Sequence, residues 1–199
     1  IKTIPLATFA EILENTSNDI TEFSILPVEN SLEGSVGESY DLLYSTDLNV
    51  TGETYHRIEH CLIGFGKIEE IDTVYSHPQA LGQCRNFIEK NTMKTIPTYD
   101  TAGSVKIIQE LNKKKCACIA SKAAASIYNM PIIAENIANN LNNYTRFLIL
   151  SKNEVSETGN DKTSIIFSIK HEPGSLYRII ENFNKNNINL TKIESRPTK

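Results

Sequence analysis

The chain has 199 residues, 40% of them hydrophobic and 22% charged, and its 20 Lys and Arg against 24 Asp and Glu leave a formal charge of −4. That balance describes a folded globular chain, long enough for one domain of ordinary size and a small second one. It excludes a membrane span, since no apolar run approaches the ~18–20 residues needed, and it argues against a nucleic-acid partner, which would want a basic face. The sequence opens on Ile1 rather than Met, in what reads as mid-domain sequence, so it is silent on a leader. Four cysteines at 61, 84, 116 and 118 form no C-x-x-C pair. They read as buried small hydrophobes in a reducing, cytoplasmic compartment.

The first helix is predicted over Ala7–Asn15, with Phe9, Ile12 and Leu13 on one face. A short strand follows over Thr21–Val28, then a polar loop from Glu29 to Ser35. Val36, Tyr40 and Leu43 mark a second helix at i, i+4, i+7. Leu48–Phe65 reads as one long extended stretch, with Thr54, His56, Ile58, His60 and Leu62 on one face. Val74-Tyr75 closes a short strand, and Pro78 begins a helix carrying Leu81, Cys84, Phe87 and Ile88. Thr101–Leu111 is a helix with Val105, Ile108 and Leu111 inward. Cys116–Ala120 is an apolar strand that would point Cys116 and Cys118 to one face, and Ser121 caps an Ala-rich helix over 121–128.

The repeated strand, polar loop and helix predict an α/β domain with helices on largely parallel strands. In such sheets the loops after the strands build the binding crevice. The polar clusters fall there: Glu29-Asn30-Ser31, Ser76-His77-Pro78-Gln79, Thr101-Ala102-Gly103-Ser104 and Ser121-Lys122. Capping explains any one of them; four converging on one crevice would be harder to dismiss. Residues 153–160 form a polar linker, after which the pattern restarts. Ser164–Ile169 reads as a strand, Pro173-Gly174-Ser175 opens a helix with Leu176, Ile179, Ile180 and Phe183 inward, and Ile188–Ile193 reads as a second strand.

No metal site is expected. His56 and His60 have H-x-x-x-H spacing, but the motif needs a helix and these surroundings read as strand. His171 reads as a surface residue at a strand end, and His77, in a polar loop, suits a structural hydrogen bond as well as a chemical role. G-x-G-x-x-G, the Walker lysine loop and the G-x-S-x-G elbow are all missing, which weakens nucleotide and acyl-transfer readings. Arg146, between an apolar strand and a polar loop, suits a carboxylate ligand or a structural ion pair.

Together these segments resemble prephenate dehydratase. The residues that carry the likeness are Leu26-Pro27-Val28-Glu29-Asn30-Ser31 with Glu33-Gly34-Ser35-Val36, Tyr75-Ser76-His77-Pro78-Gln79-Ala80-Leu81 with Gln83-Cys84-Arg85, Ile119-Ala120-Ser121, Ala134-Glu135-Asn136-Ile137 and Thr145-Arg146-Phe147. Their joint order and spacing are highly specific, and they cover nearly all of residues 1–152. Residues 161–199 resemble the first half of an ACT regulatory domain, through Pro173-Gly174-Ser175-Leu176 and Glu194-Ser195-Arg196-Pro197. Ser175 stands where Ala is usual. The family's opening strand and Gly-Thr-Phe loop, and the second half of the ACT module, lie outside this sequence, which therefore reads as an incomplete copy of the full enzyme.

The resemblance implies a two-lobed, periplasmic-binding-protein-like α/β catalytic domain over 1–152 and a truncated ferredoxin-like (βαββαβ) ACT domain over 161–199. It implies a cofactor-free lyase that converts prephenate to phenylpyruvate in phenylalanine biosynthesis, with phenylalanine as allosteric ligand and a homo-oligomeric (dimeric or tetrameric) assembly. The implied catalytic set is Thr145, Glu29, Asn30, Ser76 and Gln83. Ser31, His77, Arg146, Phe147 and Ser121 are the implied substrate-binding residues. Gly174, Ser175, Leu176, Glu194, Ser195 and Arg196 are the implied phenylalanine site. Thr145 would donate a hydrogen bond to the departing hydroxyl, with Glu29 or a water it holds as one proton source. Two alternatives stand beside this reading: an arogenate dehydratase, and a non-catalytic small-molecule binding module of the same crevice design.

Overall fold

The computed structural model describes residues 2–195 and divides the chain into two compact units, Ile1–Val155 and Ser156–Lys199. The first begins with helix α1 (Phe9–Ser17), entered through a capping box in which the Thr8 hydroxyl accepts from Glu11 N while the Glu11 carboxylate accepts from Thr8 N. Strand β1 (Ser24–Asn30) runs two residues past the predicted end, through Glu29 and Asn30. A turn at Gly34, φ +86°, a conformation that favours glycine, leads to the two-residue strand β2 (Gly34–Ser35). Helix α2 (Gly37–Ser45) and strand β3 (Asn49–Arg57) follow.

The long extended stretch expected over Leu48–Phe65 is in fact two strands in two sheets. β3 ends at Arg57, and β4 (Cys61–Gly64) belongs to the other sheet. Hydrophobic alternation does not mark the break, because Ile58 and His60 keep the period of two while their backbone bonds leave the ladder. Ile58 N donates to Asn143 O at 2.8 Å, and His60 O accepts from Ile137 N at 3.1 Å. After a 3-10 turn at Ile68–Glu70 come β5 (Thr73–Ser76), α3 (Pro78–Gln83), α4 (Arg85–Lys90) and β6 (Lys94–Pro97). The single helix expected from Pro78 is thus broken at Cys84, and β6, whose residues are exposed, carried no periodic signal. The unit closes with α5 (Gly103–Leu111), β7 (Cys116–Ala120), α6 (Lys122–Ile127), β8 (Ile132–Ala134) and β9 (Tyr144–Ser151).

One sheet has the order β2-β1-β9-β3 and is antiparallel throughout; the other is β6-β5-β7-β4-β8, parallel at β6-β5-β7 and antiparallel at β7-β4-β8. The expectation of largely parallel strands is corrected: among the described residues only β5, β6 and β7 pair in parallel. The strand-loop-helix grammar was read correctly there, but the long return strand β9 inserts between β1 and β3, running opposite to both. The two lobes are joined where the chain crosses between sheets, at residues 58–60 and 135–143.

Each lobe has its own core. Leu26, Val28, Leu148 and Leu150 of the antiparallel sheet meet Leu13 of α1, with Phe9, Tyr40 and Leu43 around them. The mixed sheet is covered on both faces. Cys61, Ile63, Cys116, Cys118 and Ala120 pack on Val105 and Ile108 of α5 and on Ala124 and Ala125 of α6. Leu62, Val74, Ala117 and Ile119 pack on Ala80, Cys84 and Ile88 of α3 and α4. Two-sided burial explains why β7 is buried along its whole length with no alternation. It also puts Cys116 and Cys118 on one face, as the spacing predicts. All four thiols are free and buried.

In the second unit helix α7 (Ser175–Lys185) starts after Gly174, whose φ is +79°. The strands expected at Ser164–Ile169 and Ile188–Ile193 are corrected: neither segment is assigned to a strand. A strand exists only by pairing, and the apolar Ile165, Ile166, Phe167 and Ile169 stay 43–58% exposed without a partner ladder. The described residues of this unit therefore do not form a ferredoxin-like sheet. No helix among the described residues is long and apolar enough to cross a membrane.

Candidate active site

The site grows from the end of β1. Asn30 turns its side-chain oxygen onto its own chain, where Oδ1 accepts from Leu32 N and Glu33 N, both at 3.0 Å. Backbone N–H groups can only donate, so this Asx turn fixes which end of the amide is which. The Asn30 NH2 group is left to donate to Asn143 Oδ1 at 2.8 Å and to Thr145 Oγ1 at 3.1 Å. Asn143, 1% exposed, passes the same polarity on, and its NH2 donates to Gln83 Oε1 at 3.2 Å. Gln83, at the end of α3, donates in turn to Glu33 Oε1 at 3.2 Å. A chain of neutral amides thus runs from the antiparallel sheet, through the crossing segment, to the mixed sheet and back to the turn after β1.

Thr145 stands opposite Asn30 in the β1–β9 register. Its oxygen accepts from Asn30, and among the described residues its hydroxyl makes no other hydrogen bond. The proton of that hydroxyl is free to be donated elsewhere. A β-bulge between Pro27 and Glu29 re-aims the end of β1 beside it. Ser31 locks the adjoining turn, donating to Asn142 O at 3.0 Å and accepting from Tyr144 N at 2.9 Å.

Strand alternation sorts the Thr145-Arg146-Phe147 segment. Thr145 and Phe147 share one face, and Arg146 shares the other with Leu148 and Leu150. There the Arg146 guanidinium is held by Glu53, with Nε and Nη2 each 2.7 Å from Oε2, and Glu29 lies 3.9 Å from Nη1. Burial alone would lower the Arg146 pKa, but the hydrogen bond and charge of Glu53 outweigh it and raise it. Arg146 and Glu29 therefore belong to an ion-paired cluster on the face away from the Thr145 hydroxyl.

The other expected residues lie around the mixed sheet, their polar atoms turned to the backbone. Ser76 is fully buried, and its hydroxyl donates to Ile119 O at 2.7 Å, clasping β5 to β7. His77 caps α3, Nδ1 accepting from Gln79 N, and Ser121 caps α6, accepting from Ala124 N. The hydrogen-bonded network brings together Asn30, Gln83 and Thr145, and it does not include Ser76, His77 or Ser121.

Three members were missed by sequence reasoning: Asn143, Glu33 and His60. His60 is 5% exposed and its Nε2 lies 2.8 Å from Gln83 Oε1. Its spacing to His56 suggested only a metal pair, while the usable signal was a histidine heading the apolar run Cys61–Gly64, which must find a partner once buried. His56 itself is exposed on β3. Among the described residues no group of three His, Cys, Asp or Glu side chains is placed to hold a metal ion.

In the second unit, Ser168, Ile169, Lys170, Ser175, Arg178 and Ile179 line a shallow hollow of about 240 Å³. Ser175 is buried and accepts from Arg178 Nη2 at 2.9 Å, and Gly174 caps the helix above it. Leu176 is exposed, and Glu194 and Ser195 lie at the end of the described residues, in no helix or strand. Arg196 lies outside the described residues.

Residues 1–155 match the family model for prephenate dehydratase. The chain is 39% identical over 198 residues to the bifunctional chorismate mutase/prephenate dehydratase of Aquifex aeolicus, covering 98% of this chain and 54% of that protein. It is 42% identical over 193 residues to the prephenate dehydratase of Methanocaldococcus jannaschii, covering 95% of this chain and 70% of that one. Among solved structures, the prephenate dehydratase of Arthrobacter aurescens in complex with L-Phe superposes with a TM-score of 0.87 at 27% identity, over 98% of this chain and 67% of that one. The chain thus spans about half the length of the Aquifex protein.

Proposed function

Because this chain belongs to the prephenate dehydratase family, we propose that its cleft converts prephenate to phenylpyruvate, carbon dioxide and water. The bond from the ring to its carboxylate breaks, and the electron pair moves into the ring. Hydroxide leaves from the far ring carbon and takes up a proton as water. Aromatisation supplies the driving force; the obstacle is hydroxide departure, which needs a hydrogen bond or proton at the leaving oxygen.

The observation that carries this reading is the polarity of the amide chain. Asn30 donates to Thr145 Oγ1, so the Thr145 hydroxyl acts as a donor toward a bound ligand. A donor fixed in advance stabilises charge as it develops, at no cost in reorganisation. A threonine hydroxyl is too weak an acid to be the whole proton source, so Thr145 lowers the barrier by hydrogen bonding. Asn30 orients it, and Gln83 presents a further neutral donor. Phe147, on the same face of β9, supplies apolar surface against the ring. Arg146, held by Glu53 and Glu29, stiffens β9 from behind. No cofactor takes part in this scheme. The buried free thiols suit a reducing, cytoplasmic setting.

We read residues 161–199 as the start of an ACT module that binds phenylalanine across a homo-oligomer interface. The positive-φ Gly174, the start of α7 and the Lys170 and Arg178 side chains around the hollow suit an amino-acid carboxylate. Inhibition then requires that phenylalanine bind one of two global states more tightly.

The deciding experiment on the full-length protein is an absorbance assay for phenylpyruvate formed from prephenate, run in parallel with an assay for the phenylalanine that arogenate, which keeps its amino group, would give. Turnover of prephenate, lowered ~10²-fold or more by Thr145→Ala, is expected. Turnover of arogenate alone moves the substrate to the aminated analogue, and no turnover of either leaves a binding module. Heat on titration with phenylalanine tests the regulatory reading.

A further inference from the structure

His60 has no role in the scheme above, yet it is a buried histidine with one nitrogen engaged and one bare. Its Nε2 is 2.8 Å from Gln83 Oε1, while its Nδ1 is buried without a hydrogen-bond partner among the described residues. The engaged atom of Gln83 is fixed as the oxygen by independent logic. Backbone N–H groups set Asn30, Asn30 sets Asn143, and the Asn143 NH2 group already donates to that oxygen. A carbonyl oxygen can only accept, so His60 must carry its proton on Nε2.

We infer that His60 is a positioning residue: as the neutral Nε2–H tautomer it pins the Gln83 amide with its NH2 group turned to Glu33 and the turn after β1. The Glu33 carboxylate accepts from the Gln83 NH2 group at 3.2 Å and already favours this orientation, and the Asn143 and His60 donors on Oε1 reinforce it from the other end of the amide. With two donors converging, turning it over sets an NH2 against two N–H groups and breaks both bonds, in a place where unpaired polar groups are costly. The bare Nδ1 works in the same direction. The opposite tautomer, or the imidazolium, would bury an N–H with no acceptor. His60 thereby holds the orientation of the Gln83 amide without meeting the ligand itself. The kinetic consequence rests on the dehydratase reading; the tautomer and the amide orientation do not.

Two measurements on the full-length protein test this. The first labels histidine with ¹⁵N and reads the tautomers by long-range ¹H–¹⁵N correlation at neutral pH, the His60 signals being those lost in His60→Phe. An Nε2–H, bare-Nδ1 pattern is expected; an Nδ1–H tautomer or averaging between the two overturns the inference. This arm needs no variant to be active and no substrate to be known.

The second is kinetic. The side-chain nitrogen of Gln stands near Nε2 of His, and that of Asn near Nδ1. His60→Gln should therefore keep turnover within ~3-fold of the parent, while His60→Asn should lower kcat by ~10-fold or more with KM changed far less. In a Gln83→Ala background the same His60→Asn change should cost nothing further. An equal loss in both backgrounds, or equal loss in the Gln and Asn variants, shows that His60 does not act through Gln83. If the parent turns over neither prephenate nor arogenate, the dehydratase reading falls, and the tautomer still decides the His60–Gln83 contact.

Discussion

On the antiparallel sheet, the polar side chains at the strand ends hydrogen-bond to one another and leave a hydroxyl proton unclaimed. Around the mixed sheet, Ser76, His77 and Ser121 each turn the side chain to the nearest backbone group. Both regions present Ser, Thr, Asn or His where strand meets loop, and in sequence they look alike. The difference lies in what else is nearby. A helix start offers unsatisfied N–H groups that a single side chain caps at once. The end of β1 starts no helix, so Asn30 satisfies the turn with its oxygen and still has its NH2 group to give. Loop polarity after a strand is thus a weak guide to chemistry, and a residual donor after all bonds are assigned is a better one.

The largest effect is expected at Thr145. Thr145→Ala should lower kcat by ~10²-fold or more with the thermal midpoint little changed, and Thr145→Ser should retain most of the turnover. Near-normal turnover in the alanine variant removes the free hydroxyl from the chemistry. Next in size is the ion-paired cluster behind it. Glu53→Gln removes the charge from a largely buried pair and should cost about 1–3 kcal/mol in urea unfolding. Unchanged stability would mean that Arg146 is not held by Glu53.

The mixed-sheet hydroxyls should behave as structure. Ser76→Ala and Ser121→Ala should each cost about 1 kcal/mol of stability, with a smaller loss of turnover than Thr145→Ala. A loss at Ser76 as large as at Thr145, with stability unchanged, would bring Ser76 into the reacting set and erase the contrast.

The smallest effect concerns the thiols of the mixed sheet. Burial pushes Cys84 and Cys118 from the ordinary 9.0 up to about 12. The folded chain therefore holds these protons more tightly than the unfolded one. The resulting stabilisation is complete below pH 9 and is lost as pH rises toward 12. Unfolding midpoints should fall across that window, and less steeply in Cys84→Ala than in the parent. At pH 8 all four thiols should resist a disulfide reagent until the chain is unfolded.

The two units differ as well. The first has three apolar clusters, whereas Ser175 is the one buried residue described in the second. Helix α7 was legible there because its apolar period and its Gly174 cap are local. The flanking strands were read from composition alone, and a strand needs a partner that composition does not supply.

The same division runs through the whole protein. Local chemistry in the sequence determined most helices, the strands β5 and β7, the cap at Ser121, and the family likeness carried by Asn30, Gln83 and Thr145. Only the tertiary structure decided that Leu48–Phe65 breaks between two sheets, that β9 inserts antiparallel, and that Asn143 and His60 meet on one oxygen of Gln83. The physical reason is range. A cap or a helical face is settled within a few residues, whereas the direction of a hydrogen bond between side chains 23 or 60 positions apart depends on every donor and acceptor assigned before it.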